Sequence, residues 1–143
     1  MRRLLELLAP AKNLQIGVAA IDHGADAVYI GAEGFGARQA AGNSVGDICK
    51  LGEYAHRFGV KVYVTVNTIV YDHELSAVKD LIRKLSLIHV DGILIQDMGL
   101  LELNGQSNIP FHASTQCDVR TIEKVKWLKS LGFRRVVLAR ELS

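Results

Sequence analysis

The chain repeats one pattern: a segment with helical spacing ends at glycine or a short turn, and a brief β-rich run follows at once. The pattern recurs in HGADAVYIG, FGVKVYVTVN, HVDGILIQD and LGFRRVVLARE. The segments between these runs carry apolar residues at helical spacing, as in Leu75, Val78, Leu81, Ile82 and Leu85. Strands that alternate with amphipathic helices are typical of βαβ units, so the sequence predicts an α/β fold with a parallel sheet.

Six strands are predicted, near Leu5–Ala9, Ala27–Gly31, Lys61–Asn67, Gly92–Gln96, Phe111–Ser114 and Arg135–Ala139. A unit of roughly 20 to 35 residues is typical of a (β/α)8 barrel, which needs about 250 residues for eight units. An open, doubly wound sheet of five or six strands would fit the 143 residues without truncation. Composition and spacing therefore leave the barrel and the open sheet as alternatives.

The third predicted strand, KVYVTVN, has one apolar and one mixed face. Its valines share one side, while Tyr63, Thr65 and Asn67 share the other, because side chains alternate along a strand. A central strand of an open sheet is expected to be apolar on both faces. In a barrel the valines would meet the helices, and Asn67 would stand at the mouth, where the carboxyl ends of the strands meet.

Polar residues in or after the other strands are expected at the same mouth, where barrel enzymes place their chemistry. A solvated strand end is the alternative for any one of them. The predicted substrate-binding residues are Glu6, Tyr29, Arg38, Asn43, Asn67, Asp97, His112, Ser114, Gln116, Arg140 and Glu141. No catalytic residue and no metal site is assigned.

The glycine-rich segment GAEGFGARQAAGN follows the second strand, but its glycines match neither GxGxxG nor GxxxxGK[ST]. It is interpreted either as a long turn with glycines at positive φ or as a loop that brings Arg38 and Asn43 over the rim. A guanidinium at the rim would suit an anionic or amide-bearing ligand.

The segment HASTQC crowds potential nucleophiles onto the fifth strand. His112 and Ser114 would share a face with Cα atoms roughly 6.6 Å apart, whereas a serine and its base need about 3 Å. Cys117 has the opposite parity to His112. Ligand contact by His112, Ser114 and Gln116 therefore competes mainly with an internal polar network.

Composition excludes several classes of site and partner. The net charge is +2, from 17 basic and 15 acidic residues, which is too even to indicate a nucleic-acid or membrane surface by itself. The segment RTIEKVKWLKSLGFRR could form a local basic patch, but the apolar stripe on its other side favours a solvated helix face. Cys49 and Cys117 lie far apart and form neither a disulfide framework nor a complete metal site. No apolar run reaches the length of a membrane span, and a reducing cytoplasm is expected.

Five motifs in order, ELLAPAKN, GADAVYIGAEGFGARQAAGN, KVYVTVNT, HASTQ and RRVVLARELS, resemble the N-terminal part of the collagenase-like peptidases of family U32. Lys12 replaces the glycine of the common APAGN pattern. The resemblance implies a TIM-like barrel. We therefore expect residues 1–143 to form one domain, the first six strands of an incomplete (β/α)8 barrel, truncated after strand six.

The resemblance also implies function. A peptidase that holds a peptide at the mouth is the first expectation, although the family's nucleophile is not settled. The alternative is hydroxylation of a tRNA or rRNA base, or of a quinone precursor, with an iron–sulfur cluster. That cluster's cysteines would lie downstream, so no cofactor is expected in this chain. An inactive folding fragment is the third hypothesis. Exposed edge strands predict self-association.

Overall fold

The computed structural model describes residues 5–37 and 42–142, in which six parallel strands form one sheet. The strands are β1 (Leu8–Ala11), β2 (Ala27–Gly31), β3 (Lys61–Val66), β4 (Gly92–Ile95), β5 (Phe111–Ala113) and β6 (Arg135–Val136). They pair in the order β1-β2-β3-β4-β5-β6, each with the next in sequence. Since a doubly wound sheet reverses its strand order, this sequential order identifies the sheet as part of a barrel wall. The predicted incomplete TIM-like barrel is confirmed.

Four α-helices connect the strands: α1 (Leu14–Asp22), α2 (Val45–Arg57), α3 (Leu75–Leu87) and α4 (Ile122–Ser130). Three of them begin at a side-chain cap, in which Asn13, Ser44 or Thr121 accepts a hydrogen bond from a backbone N–H of the first turn. The remaining connection, between β4 and β5, is a 3-10 segment at Met98–Gln106 instead of an α-helix.

The two faces of the sheet differ as the pattern of β3 predicts. Val62, Val64 and Val66 are buried in the main core with the apolar sides of the helices. Tyr63 belongs to a second, smaller cluster on the opposite, concave face, with Ala27 and Leu94. The helices therefore cover the convex face, and the concave face is the barrel interior.

The first strand begins three residues later than the sequence predicts. The N–H of Leu7 donates to the Asp26 carboxylate at 2.8 Å, and regular pairing with β2 starts only at Leu8. Pro10 lies inside β1 rather than after it. A proline without an N–H is tolerated there because β1 is an edge strand.

The last strand is shorter than predicted. The Val137 N–H still donates to the carbonyl of Ala113, but the Ala139 N–H donates to the carbonyl of Val119, so the chain leaves the sheet.

β1 and β6 are the two edges of the sheet, and self-association through them stays a prediction. Within the described residues, no helix has the length and apolar character needed to cross a membrane.

Candidate functional site

Five polar side chains meet on the concave face near the amino-terminal ends of the strands. Glu6, Lys61, Tyr63, His112 and Arg135 form this group, called the floor cluster below. An Arg135 guanidinium nitrogen donates to Glu6 at 2.5 Å and to the Tyr63 hydroxyl at 3.0 Å, and the Tyr63 hydroxyl donates to Glu6 at 3.1 Å. The Glu6–Arg135 pair thus connects the segment before β1 to β6 across the interior.

The floor cluster sets one carboxylate, Glu6, against two cations, Lys61 and Arg135. Burial raises the pKa of Glu6, but the hydrogen bond and charge of Arg135 more than compensate, so the pKa lies below its ordinary value. The hydrogen bond to Glu6 raises the pKa of Arg135. Both groups are ionised at neutral pH. Glu6 and Arg135 therefore form a satisfied ion pair.

His112 packs into this network as a neutral ring. Its imidazole meets Tyr63 edge-on at a centroid distance of 5.0 Å and lies over Gly92, where a Cβ would come within 2.7 Å of the imidazole Cε1. His112 is only 4% exposed. Burial, assisted by the charge of Arg135, lowers the pKa of His112 to about 4.

Two predicted mouth residues are therefore at the opposite end of the sheet. Glu6 was expected inside the first strand, but it precedes β1 and lies at the floor. His112 points inward as predicted, yet its ring contacts Tyr63 near the amino-terminal end of β3. Sequence reasoning missed Lys61 and Arg135. The signal was available for Lys61, which has the same strand parity as Tyr63.

A hollow of about 750 Å³ opens at this amino-terminal end. Glu6, Lys61 and Arg135 contribute to its wall, together with the ends of α1 and α2. Glu6 and Arg135 are already paired with each other, so these two charges are not free to bind a ligand. We therefore take the mouth, where barrel enzymes bind their substrates, as the candidate site.

At the mouth, Asn67 joins two loops. Its side-chain oxygen accepts from the Ala37 N–H at 3.0 Å, and its amide nitrogen donates to the Ser114 hydroxyl at 3.1 Å. Asn67 therefore holds the glycine-rich loop after β2 against the end of β5. Asn67 was predicted to stand at the mouth, and the contacts in the structure give it a bracing role between these loops.

Asn43 and Asp97 also brace the mouth. The Asn43 side chain donates to the carbonyls of Lys12 and Gly31, which connects the loops after β1 and β2. The Asp97 carboxylate accepts from the N–H groups of Val70 and Gly99, which connects the loops after β3 and β4. Neighbouring loops are thus fixed to one another by side-chain-to-backbone hydrogen bonds.

The HASTQC segment contains no assembled nucleophile. Ser114 accepts from Asn67 and from the Gln116 N–H, while the His112 ring faces Tyr63. Gln116 was expected on the same strand face, but β5 ends at Ala113 and Gln116 lies exposed in a 3-10 turn. The buried Cys117 thiol donates to the Ile95 carbonyl at 3.5 Å, and burial raises its pKa. A protonated, buried thiol is a poor nucleophile.

The remaining predicted residues divide into three groups. Tyr29 is half-buried on the concave face, beside the cluster of Tyr63 and Leu94. Arg140 and Glu141 are exposed after β6. Arg38 lies outside the described residues.

The iron–sulfur cluster implied by the resemblance does not fit the side chains of residues 5–37 and 42–142. No group of three or more His, Cys, Asp or Glu side chains with metal-binding geometry occurs there. Cys49 lies on α2, whereas Cys117 is buried in the turn after β5. No reaction step is therefore assigned to a cluster held by this chain.

We expect Asn67→Ala to loosen the glycine-rich loop. Loss of one hydrogen bond corresponds to about 1 kcal/mol, so the Ala37 amide should exchange its hydrogen roughly fivefold faster. Asn67→Asp keeps an acceptor for Ala37 and should preserve most of the protection, and exposed Asn108→Ala serves as the control. Hydrogen exchange measured by NMR checks this, and unchanged exchange at Ala37 in Asn67→Ala would show that the contact does not hold the loop.

Comparison with known proteins gives the family. The family model described as peptidase family U32 matches residues 12–143. The chain belongs to peptidase family U32. A U32 peptidase of known structure superposes with a TM-score of 0.74, covering 96% of this chain and 61% of that chain, at 14% sequence identity. At that identity the superposition supports the fold alone.

Curated U32 relatives carry two kinds of name. The chain is 55% identical over 97% of its length to the 23S rRNA 5-hydroxycytidine C2501 synthase of Escherichia coli, and covers 21% of that protein. It is 37% identical over 96% of its length to tRNA hydroxylation protein P1 of Bacillus subtilis, covering 33% of it. The collagenase of Porphyromonas gingivalis is 31% identical over 96% of this chain, with 34% of the collagenase covered. The chain thus spans about a fifth to a third of the length of these relatives.

Proposed function

We propose that the protein containing this U32 chain hydroxylates a cytidine base of ribosomal RNA, and that the mouth of the half-barrel faces the RNA. The observation that carries this proposal is the 55% identity, over 97% of the chain, to an enzyme named for that modification. The relative named as a collagenase is 31% identical. An RNA substrate also favours the cytoplasm as the location.

The geometry of the mouth is consistent with binding rather than covalent attack by this chain. Ser114 is held by Asn67, and the Cys117 thiol is buried and protonated. Residues in this region would therefore hold and orient a base. The oxygen chemistry, including any iron–sulfur cluster, is assigned in this proposal to parts of the protein outside this chain.

A peptidase is the second candidate, because the chain shares 31% identity with a collagenase over 96% of its length. A peptide would occupy the same mouth. Among the described residues, neither Ser114 nor Cys117 has a base positioned beside it. This candidate therefore requires a nucleophile or an activated water from another part of the protein.

Deletion of the gene should remove one hydroxylated cytidine from ribosomal RNA, and the wild-type gene should restore it. Mass spectrometry of nuclease-digested RNA measures the modified fraction, and the other modified bases in the same digest are the internal control. An unchanged set of hydroxylated bases in the deletion strain would contradict the proposal.

A further inference from the structure

Three exposed side chains lie on the mouth loop between β3 and α3. Ile69 is 55% exposed, Tyr71 is 64% exposed, and the neighbouring His73 is also exposed. The rings of Tyr71 and His73 stack with centroids 6.0 Å apart and an interplanar angle of 14°. These three residues, called the aromatic rim below, present apolar and aromatic surface to solvent at the end where substrate binds in barrels.

The backbone beneath the aromatic rim is held by hydrogen bonds. The Val70 N–H donates to Asp97 at 3.0 Å. The Tyr71 N–H donates to the Glu74 carboxylate at 2.9 Å, and the Glu74 N–H donates to the Tyr71 carbonyl at 2.8 Å. The loop is thus fixed while its aromatic side chains stay exposed. An exposed aromatic ring on a fixed backbone loses little conformational entropy on binding a ligand.

We propose that the aromatic rim is a stacking platform for an unpaired base of the RNA substrate, an inference that rests on the proposed function. Bases of single-stranded RNA are held by stacking on Tyr and His rings. Such stacking contributes about 1–3 kcal/mol per base and needs no particular base identity.

The charges beside the aromatic rim indicate that it contacts bases rather than the RNA backbone. The exposed residue between the two rings is Asp72, and Glu74 lies two residues after it in the same 3-10 turn. Acidic side chains repel phosphates, so the RNA backbone is expected to run away from the loop. The rings remain accessible to a base that projects toward the mouth, as bases that undergo chemistry must do.

The test uses the full-length protein and an unmodified rRNA fragment that contains the target. Tyr71→Ala should raise the KM for RNA roughly 5- to 160-fold, with a small change in kcat, as loss of one stacked base predicts. Tyr71→Phe keeps the ring and should retain the wild-type KM. Phe58→Ala is the matched control, because Phe58 is 62% exposed but lies at the end of α2, by the amino-terminal hollow.

A second measurement separates this inference from the proposed function. In Tyr71→Trp, single-stranded RNA should quench the fluorescence of the introduced tryptophan, and duplex RNA should quench it much less. This holds whether or not the protein hydroxylates the RNA. Absence of quenching, or a Tyr71→Ala variant with an unchanged KM, overturns the stacking platform. Thermal destabilisation of Tyr71→Ala with an unchanged KM would instead show that the rim packs against another part of the protein. Quenching without hydroxylation would retain the platform and count against the proposed function.

Discussion

Gly92→Ala is expected to lower the free energy of unfolding by about 1–3 kcal/mol, the range for overpacking a filled interior. The new Cβ would lie 2.7 Å from His112 Cε1 and 3.1 Å from Tyr63 Cδ1. Neither ring can move freely, because each packs on the other and Tyr63 is bonded to Glu6 and Arg135. The substitution should therefore disturb the whole floor cluster. Chemical denaturation measures the loss.

Gly52→Ala is the matched control for this substitution. Gly52 lies inside α2, and a Cβ there would meet no atom within 4 Å. Alanine should stabilise the helix by roughly 0.5–1 kcal/mol. Combining Gly92→Ala with His112→Ala should recover part of the cost, since the two residues are in contact. Equal effects of the two glycine substitutions would mean that the His112 ring does not fill the space over Gly92.

His112 should make the fold sensitive to mild acid. Its pKa falls from the ordinary 6.5 to about 4 on folding, chiefly because burial disfavours the imidazolium. The unfolded chain therefore binds the proton more readily than the folded chain. The full contribution of the neutral ring is present above pH 6.5 and is lost progressively as the pH falls to about 4. The loss should approach about 3 kcal/mol.

Replacing His112 with phenylalanine should remove this part of the pH dependence, because an unionisable ring fills the same site. The exposed His89 has φ 57°, which asparagine tolerates, so His89→Asn is the control and should keep the wild-type slope. Stability curves between pH 4 and 7 make the comparison. A wild-type slope in His112→Phe would place the acid-sensitive group elsewhere. Glu6 contributes its own loss at lower pH, since its folded pKa is depressed.

Strand parity predicted which side chains of β3 enter the interior. The alternation of Val62, Tyr63 and Val64 is a local property, so the sequence alone assigns the valines to the helices and Tyr63 to the concave face. The same local reasoning predicted the positions of Asn67 and Asp97 after their strands. The mixed face of β3 also favoured a barrel over an open sheet, and the strand order confirms the barrel.

The depth of a side chain in the interior depends on contacts that no local pattern contains. Glu6 is at the floor because the Asp26 side chain binds the Leu7 N–H and shifts the start of β1. His112 reaches the floor cluster because Gly92, on the neighbouring strand, leaves room for its ring. Asn67 braces the mouth through Ala37, 30 residues earlier in the chain. Each of these contacts is long-range in sequence.

The most direct test of the proposed function compares two substrates with the purified full-length protein. The protein is purified anaerobically to preserve an iron–sulfur cluster, and a protein-free filtrate of cell extract is added to supply the oxygen donor and the electron donor. The unmodified rRNA fragment should then gain one oxygen atom on a cytidine, as measured by mass spectrometry. Gelatin incubated with the same preparation should remain intact on a gel. Cleavage of gelatin by a preparation that leaves the RNA unmodified would contradict the account and favour the peptidase.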